Sequence, residues 1–384
     1  MIFSALFAPS VGGVEKYTDS LARALVQRGN EVVIVTSRID ASPAQEEIGE
    51  RVRVVRLPSR SLLGGRLPLP RRNAEFDVLL DELSSWEPDS IIVNTRFYGL
   101  SLIGLDFAKR VGVIPVLIEH GSAYLTLGNA AVDKILHAYE RWMTWRVKRF
   151  DPQCYGVSAK SCEWLGHFGI EAAGVLSNAI DARSFRELSS GRDFRHELGV
   201  LDDAVLVAFV GRLIPEKGLS LLLEAARLLM GDSSIVFVVA GEGPERETLE
   251  RSGLPNIVLV GGLDPRDVSA LLSQSDAFLL PSRSEGFATS LLESAAWGVP
   301  SLVTDVGGAR ELQGPDASSL IMDEVSPERI ADGLRWVRDH RSEAVSAGAS
   351  ALARVEGCYS WEETARLAEL ACEHANDRKG KEAQ

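Results

Sequence analysis

Short apolar runs alternate with longer segments whose apolar residues recur at helical spacing. Val32–Thr36, Val52–Leu57, Ile91–Asn94, Val113–Glu119 and Tyr155–Ser158 are near-continuous apolar runs in the first half. Val205–Val210, Ile235–Ala240, Ile257–Val260, Ala277–Leu280 and Ser301–Thr304 repeat the pattern in the second. Continuous rather than alternating apolarity predicts parallel strands covered by helices on both faces. Helices are predicted over Lys16–Arg28, Ala130–Arg149, Leu219–Met230, Pro265–Gln274, Ser290–Trp297 and Pro327–Arg338. The β–α alternation occurs twice, which predicts an α/β protein of two doubly wound, Rossmann-like domains.

The boundary is expected after Asp181, giving a first domain over 1–181 and a second over 182–360, with a polar stretch near 182–203 between the two sets of strands. An amphipathic segment, Trp361–Ala375, follows once the second domain has its elements, and the polar residues 376–384 read as a disordered tail. The apolar start, Ile2–Ala8, is short, lacks a basic flank and runs into Gly12-Gly13, so a buried first strand explains it better than a secretory leader.

Composition narrows the function. The 384 residues carry a net charge of −13, which argues against a nucleic-acid partner. The imbalance is uneven: residues 1–182 hold 20 Lys+Arg against 21 Asp+Glu, and the remainder 21 against 33. The neutral first half would approach an anionic surface more easily. The four cysteines form no CxxC pair, as expected of reduced thiols in the cytoplasm. No run approaches the roughly 18–20 apolar residues of a membrane span.

Two blocks carry candidate chemistry. Ser284-Glu285-Gly286-Phe287-Ala288-Thr289 follows a strand and opens a helix that includes Glu293. Backbone N–H groups of Phe287, Ala288 and Thr289 at a helix start form an anion site. Glu285 and Glu293 would lie at most about 12 Å apart along a helix axis, near the length of a sugar–diphosphate–ribose unit. The same residues also describe a capped helix with two surface glutamates. The second block, Gly211-Arg212-Leu213-Ile214-Pro215-Glu216-Lys217-Gly218, places two cations at a strand's carboxyl end, where open α/β sheets bind ligands. Ordinary surface basic residues would look the same.

In this order and spacing, Arg212/Lys217 and Glu285/Glu293 resemble the signatures of the glycosyltransferase group 1 family (family 4), which has the two-domain GT-B fold. Pro9–Lys16, with Gly12 and Gly13, resembles its glycine-rich first loop. Glu119-His120-Gly121 resembles its histidine loop, and Val157-Ser158 and Ser177–Asp181 its interdomain landmarks. The resemblance covers roughly residues 2–375. Asn178-Ala179 departs from the family's Asn-Gly. The first strand lacks the usual charged start, which raises the expectation of an upstream translation start.

The resemblance implies sugar transfer from a nucleoside diphosphate, UDP- or GDP-linked, to an acceptor hydroxyl with retention at the anomeric carbon. Arg212, Lys217 and the Gly286–Thr289 amides would neutralise the departing diphosphate. Glu285 would hold the sugar, Glu293 the ribose, and backbone near Gly261–Leu263 the base. His120 would contact the sugar from the opposite side of an interdomain cleft, and Gly12 and Gly13 would admit the diphosphate and acceptor. The last amphipathic helix would cross back onto the first domain. No metal or other cofactor is expected; the chain contains no Asp-x-Asp and no histidine cluster. Gly241-Glu242-Gly243-Pro244 is a poor dinucleotide fingerprint, since no third glycine follows.

Two basic stretches bear on the acceptor. Residues 59–73 interleave Arg60, Arg66, Arg71 and Arg72 with Leu62, Leu63, Leu67 and Leu69, without an acid. Arg141–Phe150 interleaves Trp142 and Trp145 with four cations. Contact with an anionic inner leaflet is one reading. A surface loop and a core-packed helix are the others. The acceptor would then be a lipid-linked or cell-envelope glycan. A non-catalytic nucleotide-sugar-binding subunit of a polysaccharide assembly complex is the competing function.

Overall fold

The computed structural model describes residues 1–10, 12–49, 51–62, 67–126, 130–314 and 320–382. Two compact units divide the chain: residues 1–178 with 361–384, and residues 179–360. The division falls just ahead of the expected boundary because Ile180 N donates to Tyr359 O (2.9 Å), tying this segment to the second unit.

The first unit comprises β1 (Ile2–Ser4), α1 (Gly13–Gln27), β2 (Val32–Arg38), β3 (Gln45–Glu47), β4 (Val52–Leu62), β5 (Leu67–Pro70), α2 (Ala74–Ser85), β6 (Ile92–Asn94) and α3 (Gly99–Val111). It continues with β7 (Val116–Glu119), α4 (Ala130–Lys148), β8 (Gln153–Gly156), α5 (Ala159–His167) and β9 (Gly174–Val175). Its sheet runs β3-β4-β2-β1-β6-β7-β8-β9. All pairings are parallel except those of β3 and β5 with β4. Phe3, Val35, Val55, Val93 and Leu117 of the strands are closed over by Phe76, Leu80, Leu105, Phe107 and Val147 of the helices. Sandwiching of this kind is why the strands read as unbroken apolar runs.

The second unit comprises α6 (Ala182–Glu187), α7 (Phe194–Leu198), β10 (Val205–Val210), α8 (Leu219–Leu228), β11 (Ile235–Ala240), α9 (Arg246–Arg251), β12 (Ile257–Gly261) and α10 (Pro265–Ser273). It continues with β13 (Ala277–Leu280), α11 (Thr289–Ala296), β14 (Ser301–Thr304), α12 (Ala309–Gln313), β15 (Ile321–Met322), α13 (Pro327–Asp339) and α14 (Arg341–Cys358). The sheet order is β12-β11-β10-β13-β14-β15, all parallel. The 182–203 stretch, expected as a polar connection, holds α6 and α7. Each is capped by an aspartate: Ser184 N donates to Asp181 Oδ1 (2.9 Å) and His196 N to Asp193 Oδ1 (3.0 Å).

α15 (Trp361–Glu382) returns to the first unit and packs on α1. Ala365, Ala368 and Ala375 are fully buried, and Trp361 stands edge-on to Tyr17 at 5.4 Å. The expectation of a disordered 376–384 tail is corrected over 376–382, and residues 383–384 lie outside the described residues. No glycine or proline interrupts the helix at Ala375, and it continues to Glu382. Asn376 Nδ2 donates to Asp89 O (3.3 Å) and Arg378 pairs with Asp151.

Residues 59–62 and 67–70 are not a loop but the paired arms of the β4–β5 hairpin, with Ser59 opposite Pro70 and Leu62 opposite Leu67. Leu63 and Arg66 of that stretch lie outside the described residues. Among the described residues no helix is long and apolar enough to cross a membrane.

Candidate functional site

In the second unit the sheet reverses its order at β10 and β13: β11 and β12 extend outward from one, β14 and β15 from the other. The carboxyl ends of strands at such a switch point are where open α/β sheets take ligands. The β10 loop carries Arg212 and Lys217, and the β13 loop carries Glu285, Gly286, Phe287 and Ala288. Both sequence blocks therefore flank one switch point.

Lys217 closes a single turn of 3-10 helix, Pro215–Lys217. Its Nζ donates to Glu285 Oε1 at 2.5 Å. Ser282 Oγ donates to the same oxygen at 2.7 Å, and Thr304 Oγ1 holds Ser282 O at 2.5 Å. The backbones are joined too, since Arg283 N donates to Glu216 O (2.8 Å). Gly218 permits this approach. Its φ is +72°, and a Cβ there would stand 2.0 Å from Pro281 O. Arg212 is exposed on the same loop.

Phe287 anchors the β13 loop by its ring, buried and edge-on to Tyr359 at 5.3 Å. Ala288 is the N-cap of α11 and Thr289 its first residue, with no side-chain cap on that terminus. The helix begins only at Thr289, so Glu285 sits in the loop and the spacing to Glu293 is helical over its second half alone. Glu293 is 8% exposed.

The poor fingerprint has a structural use. Gly241 has φ +151°, and a Cβ there would stand 1.8 Å from Gly211 O. Leu213 N donates to Glu242 O (2.8 Å) and Glu245 N to Leu213 O (3.0 Å), so this loop braces the Arg212 loop. Glu242 Oε1 also accepts from Gly262 N (3.1 Å), fixing the turn before Leu263, which is half-buried.

In the first unit, order reverses at β1 and β6. Gly12 is the N-cap of α1 and Gly13 its first residue. His120 follows β7, and its environment sets its proton. Thr18 Oγ1 donates to Val14 O (2.8 Å), so its oxygen accepts from Asn94 Nδ2 (2.9 Å). Asn94 Oδ1 then faces His120 Nε2 at 3.0 Å, which makes Nε2 the donor. Tyr17 stands edge-on to the ring at 4.6 Å. Burial pushes the imidazole down to about 3, so it is neutral at physiological pH, with Nδ1 as an acceptor nitrogen. Such a ring orients a hydroxyl rather than exchanging a proton near pH 7.

Beneath this loop lies a buried ion cluster. Arg96 is fully buried, with one Nη on Glu119 and the other on Glu140, and its Nε donates to Thr144 Oγ1 (3.1 Å). Glu119 Oε1 accepts from Gly121 N (2.9 Å), so the guanidinium fixes the backbone on both sides of His120. Desolvation pushes Glu140 up to about 7.

Comparison with known proteins agrees with this architecture. The profile described as "Glycosyl transferases group 1" matches residues 192–352, and "Glycosyltransferase Family 4" matches residues 11–184. The chain belongs to the group 1 glycosyltransferases. A GDP-mannose-dependent alpha-mannosyltransferase of Mycolicibacterium smegmatis is 26% identical over 92% of each chain. The sucrose-phosphate synthase of Thermosynechococcus elongatus superposes with a TM-score of 0.73 at 18% identity, covering 96% of this chain and 97% of that one. The Anabaena protein HepE, in complex with UDP and glucose, superposes with a TM-score of 0.70 at 17% identity, covering 96% and 98%. The fold is GT-B.

Within this glycosyltransferase, sequence reasoning missed Ser282, Asn94, Tyr17 and Arg96. Ser282 falls in a loop, where one serine among several carries no signal. Arg96, three residues before a helix, has the sequence look of a surface arginine.

Proposed function

We propose that this glycosyltransferase moves a hexosyl unit from a UDP- or GDP-sugar to an acceptor hydroxyl, with retention and without a bound metal. The acceptor is a lipid-linked or cell-envelope glycan, met at the cytoplasmic face of the plasma membrane, with the 59–73 stretch toward an anionic surface. The carrying observation is the Lys217–Glu285 contact across the β10/β13 switch point, with Arg212 exposed on the same loop.

Arg212 and Lys217 neutralise the diphosphate as the C1–O bond to the β-phosphate breaks. The α11 amides add partial positive charge. The acceptor oxygen attacks C1 on the face the phosphate leaves, and its proton passes to the departing phosphate oxygen. Glu285, already aligned by Lys217 and Ser282, holds the sugar hydroxyls. Glu293 holds the ribose, and backbone at Gly262-Leu263 meets the base. In the first unit, neutral His120 offers Nδ1 to a sugar hydroxyl. Gly12 and Gly13 let phosphate and acceptor approach the backbone.

The relatives support this class of donor: one is named for GDP-mannose and another was solved with UDP and glucose. A thermal-shift screen across UDP-, GDP- and ADP-sugars, followed by slow donor hydrolysis, tests it. Stabilisation by one nucleotide series together with hydrolysis supports the enzyme. Stabilisation without any turnover would identify a nucleotide-sugar-binding subunit instead.

A further inference from the structure

α4 has apolar residues on both faces. Met143 and Val147 are buried inward. Outward, Ile135, Ala138, Trp142 and Trp145 follow one another at helical spacing, with Ile135 70% exposed and both tryptophans about half exposed. A solvated helix face is ordinarily polar, and tryptophan is rarely left so open without a partner.

The charges beside this stripe have one sign. Lys134, Arg141 and Lys148 run along it at seven-residue spacing. Arg149 stacks over Trp145 (3.7 Å) and Arg146 over Trp142 (5.5 Å). The helix's two acids are turned away: Asp133 accepts from Thr126 Oγ1 and Glu140 is buried on Arg96. A chain of net charge −13 thus concentrates five cations, and no acid, on the face where it exposes its tryptophans.

We infer that the outer face of α4 docks on an anionic lipid bilayer, with Trp142 and Trp145 at the headgroup boundary and the flanking cations on lipid phosphates. Tryptophan under a guanidinium suits this boundary, where one side is apolar and the other wet. A second apolar-basic feature favours a broad surface over a folded partner. The β4–β5 hairpin exposes Leu62 and Leu69 beside Arg60, Arg71 and Arg72. Its β5 packs on α3, the helix on which α4 also packs. A bilayer accommodates two separate apolar-basic features without a complementary groove. The inference is independent of which donor the second unit takes.

Co-sedimentation of the full chain with vesicles tests it. Vesicles of phosphatidylcholine and phosphatidylglycerol in equal parts should pellet the protein, and pure phosphatidylcholine should not. Each cation near an anionic surface is worth roughly fivefold in partitioning. Lys134→Glu/Arg141→Glu and Trp142→Ser/Trp145→Ser should each lose at least about tenfold. Melting temperature and nucleotide binding should stay at wild-type values. A wild-type chain that remains in the supernatant with the anionic vesicles overturns the inference, as do variants that pellet like wild type. Concentration-dependent self-association abolished by the tryptophan pair would assign the face to a second copy and overturn it as well.

Discussion

Lys217 and Glu285 lie 68 residues apart in sequence and 2.5 Å apart in space, on loops that leave opposite sides of the switch point. The lysine therefore orients the glutamate while keeping its charge at the carboxyl edge. If both cations grip the diphosphate as proposed, Lys217→Ala and Arg212→Ala should each reduce transfer at least about tenfold, the loss expected for one charge-assisted contact of roughly 1.5–3 kcal/mol. Lys217→Ala also strips a largely buried carboxylate of its cation. Adding Glu285→Gln should recover part of the lost thermal stability without recovering activity. Initial rates and melting curves of the three variants check this.

Gly218 should resist substitution. Alanine there meets both a positive φ and Pro281 O at 2.0 Å. We expect Gly218→Ala to cost roughly 1–3 kcal/mol and to separate the Lys217 and Glu285 loops. Denaturant unfolding would read the first effect and the rate of transfer the second. Wild-type values for both would show that the loops relax freely.

His120 predicts a pH signature. Its folded-state pKa, about 3, lies below the ordinary 6.5, so the unfolded chain protonates first as pH falls. Its contribution to stability is complete above pH 6.5 and is lost as pH drops toward 3, by up to about 1.4 kcal/mol per pH unit. His120→Asn should flatten the stability profile in that window. Nitrogen NMR should show a neutral ring with Nε2 protonated from pH 5 to 8, whereas a titration near 6.5 would contradict the burial argument.

The legible part of this fold was the part that long-range burial makes local. Strands sandwiched by helices stay apolar along their length, so Val205–Val210 and Ile235–Ala240 could be read directly. Arg212, Lys217, Glu285 and Glu293 were legible as a pattern, and the sheet order then places the loops of the first three at one switch point. What spacing could not give is who touches whom. Asn94 fixes His120 across 26 residues, and Arg96 reaches Glu140 across 44. Neither pair leaves a periodic trace. The helical tail beyond Ala375 was missed because its ties, to Asp89 and Asp151, are tertiary.

If the cations at the switch point carry the leaving group's charge, chelation should leave the rate nearly unchanged. Transfer assayed with EDTA, then with added Mg²⁺ or Mn²⁺, decides the point. Complete loss restored by either ion would contradict metal-independent transfer.

The central claim, that this edge of the second unit holds a nucleoside diphosphate sugar, is tested most directly by calorimetric titration of UDP and GDP. The titrations compare wild type with Lys217→Ala, Glu293→Gln and Glu285→Gln. Wild type should bind one nucleotide. Lys217→Ala and Glu293→Gln should weaken that binding by roughly tenfold or more, since each loses a charged hydrogen bond. Glu285→Gln should bind the free nucleotide nearly as wild type while failing to turn over the sugar. Nucleotide affinity unchanged in both Lys217→Ala and Glu293→Gln would contradict the assignment.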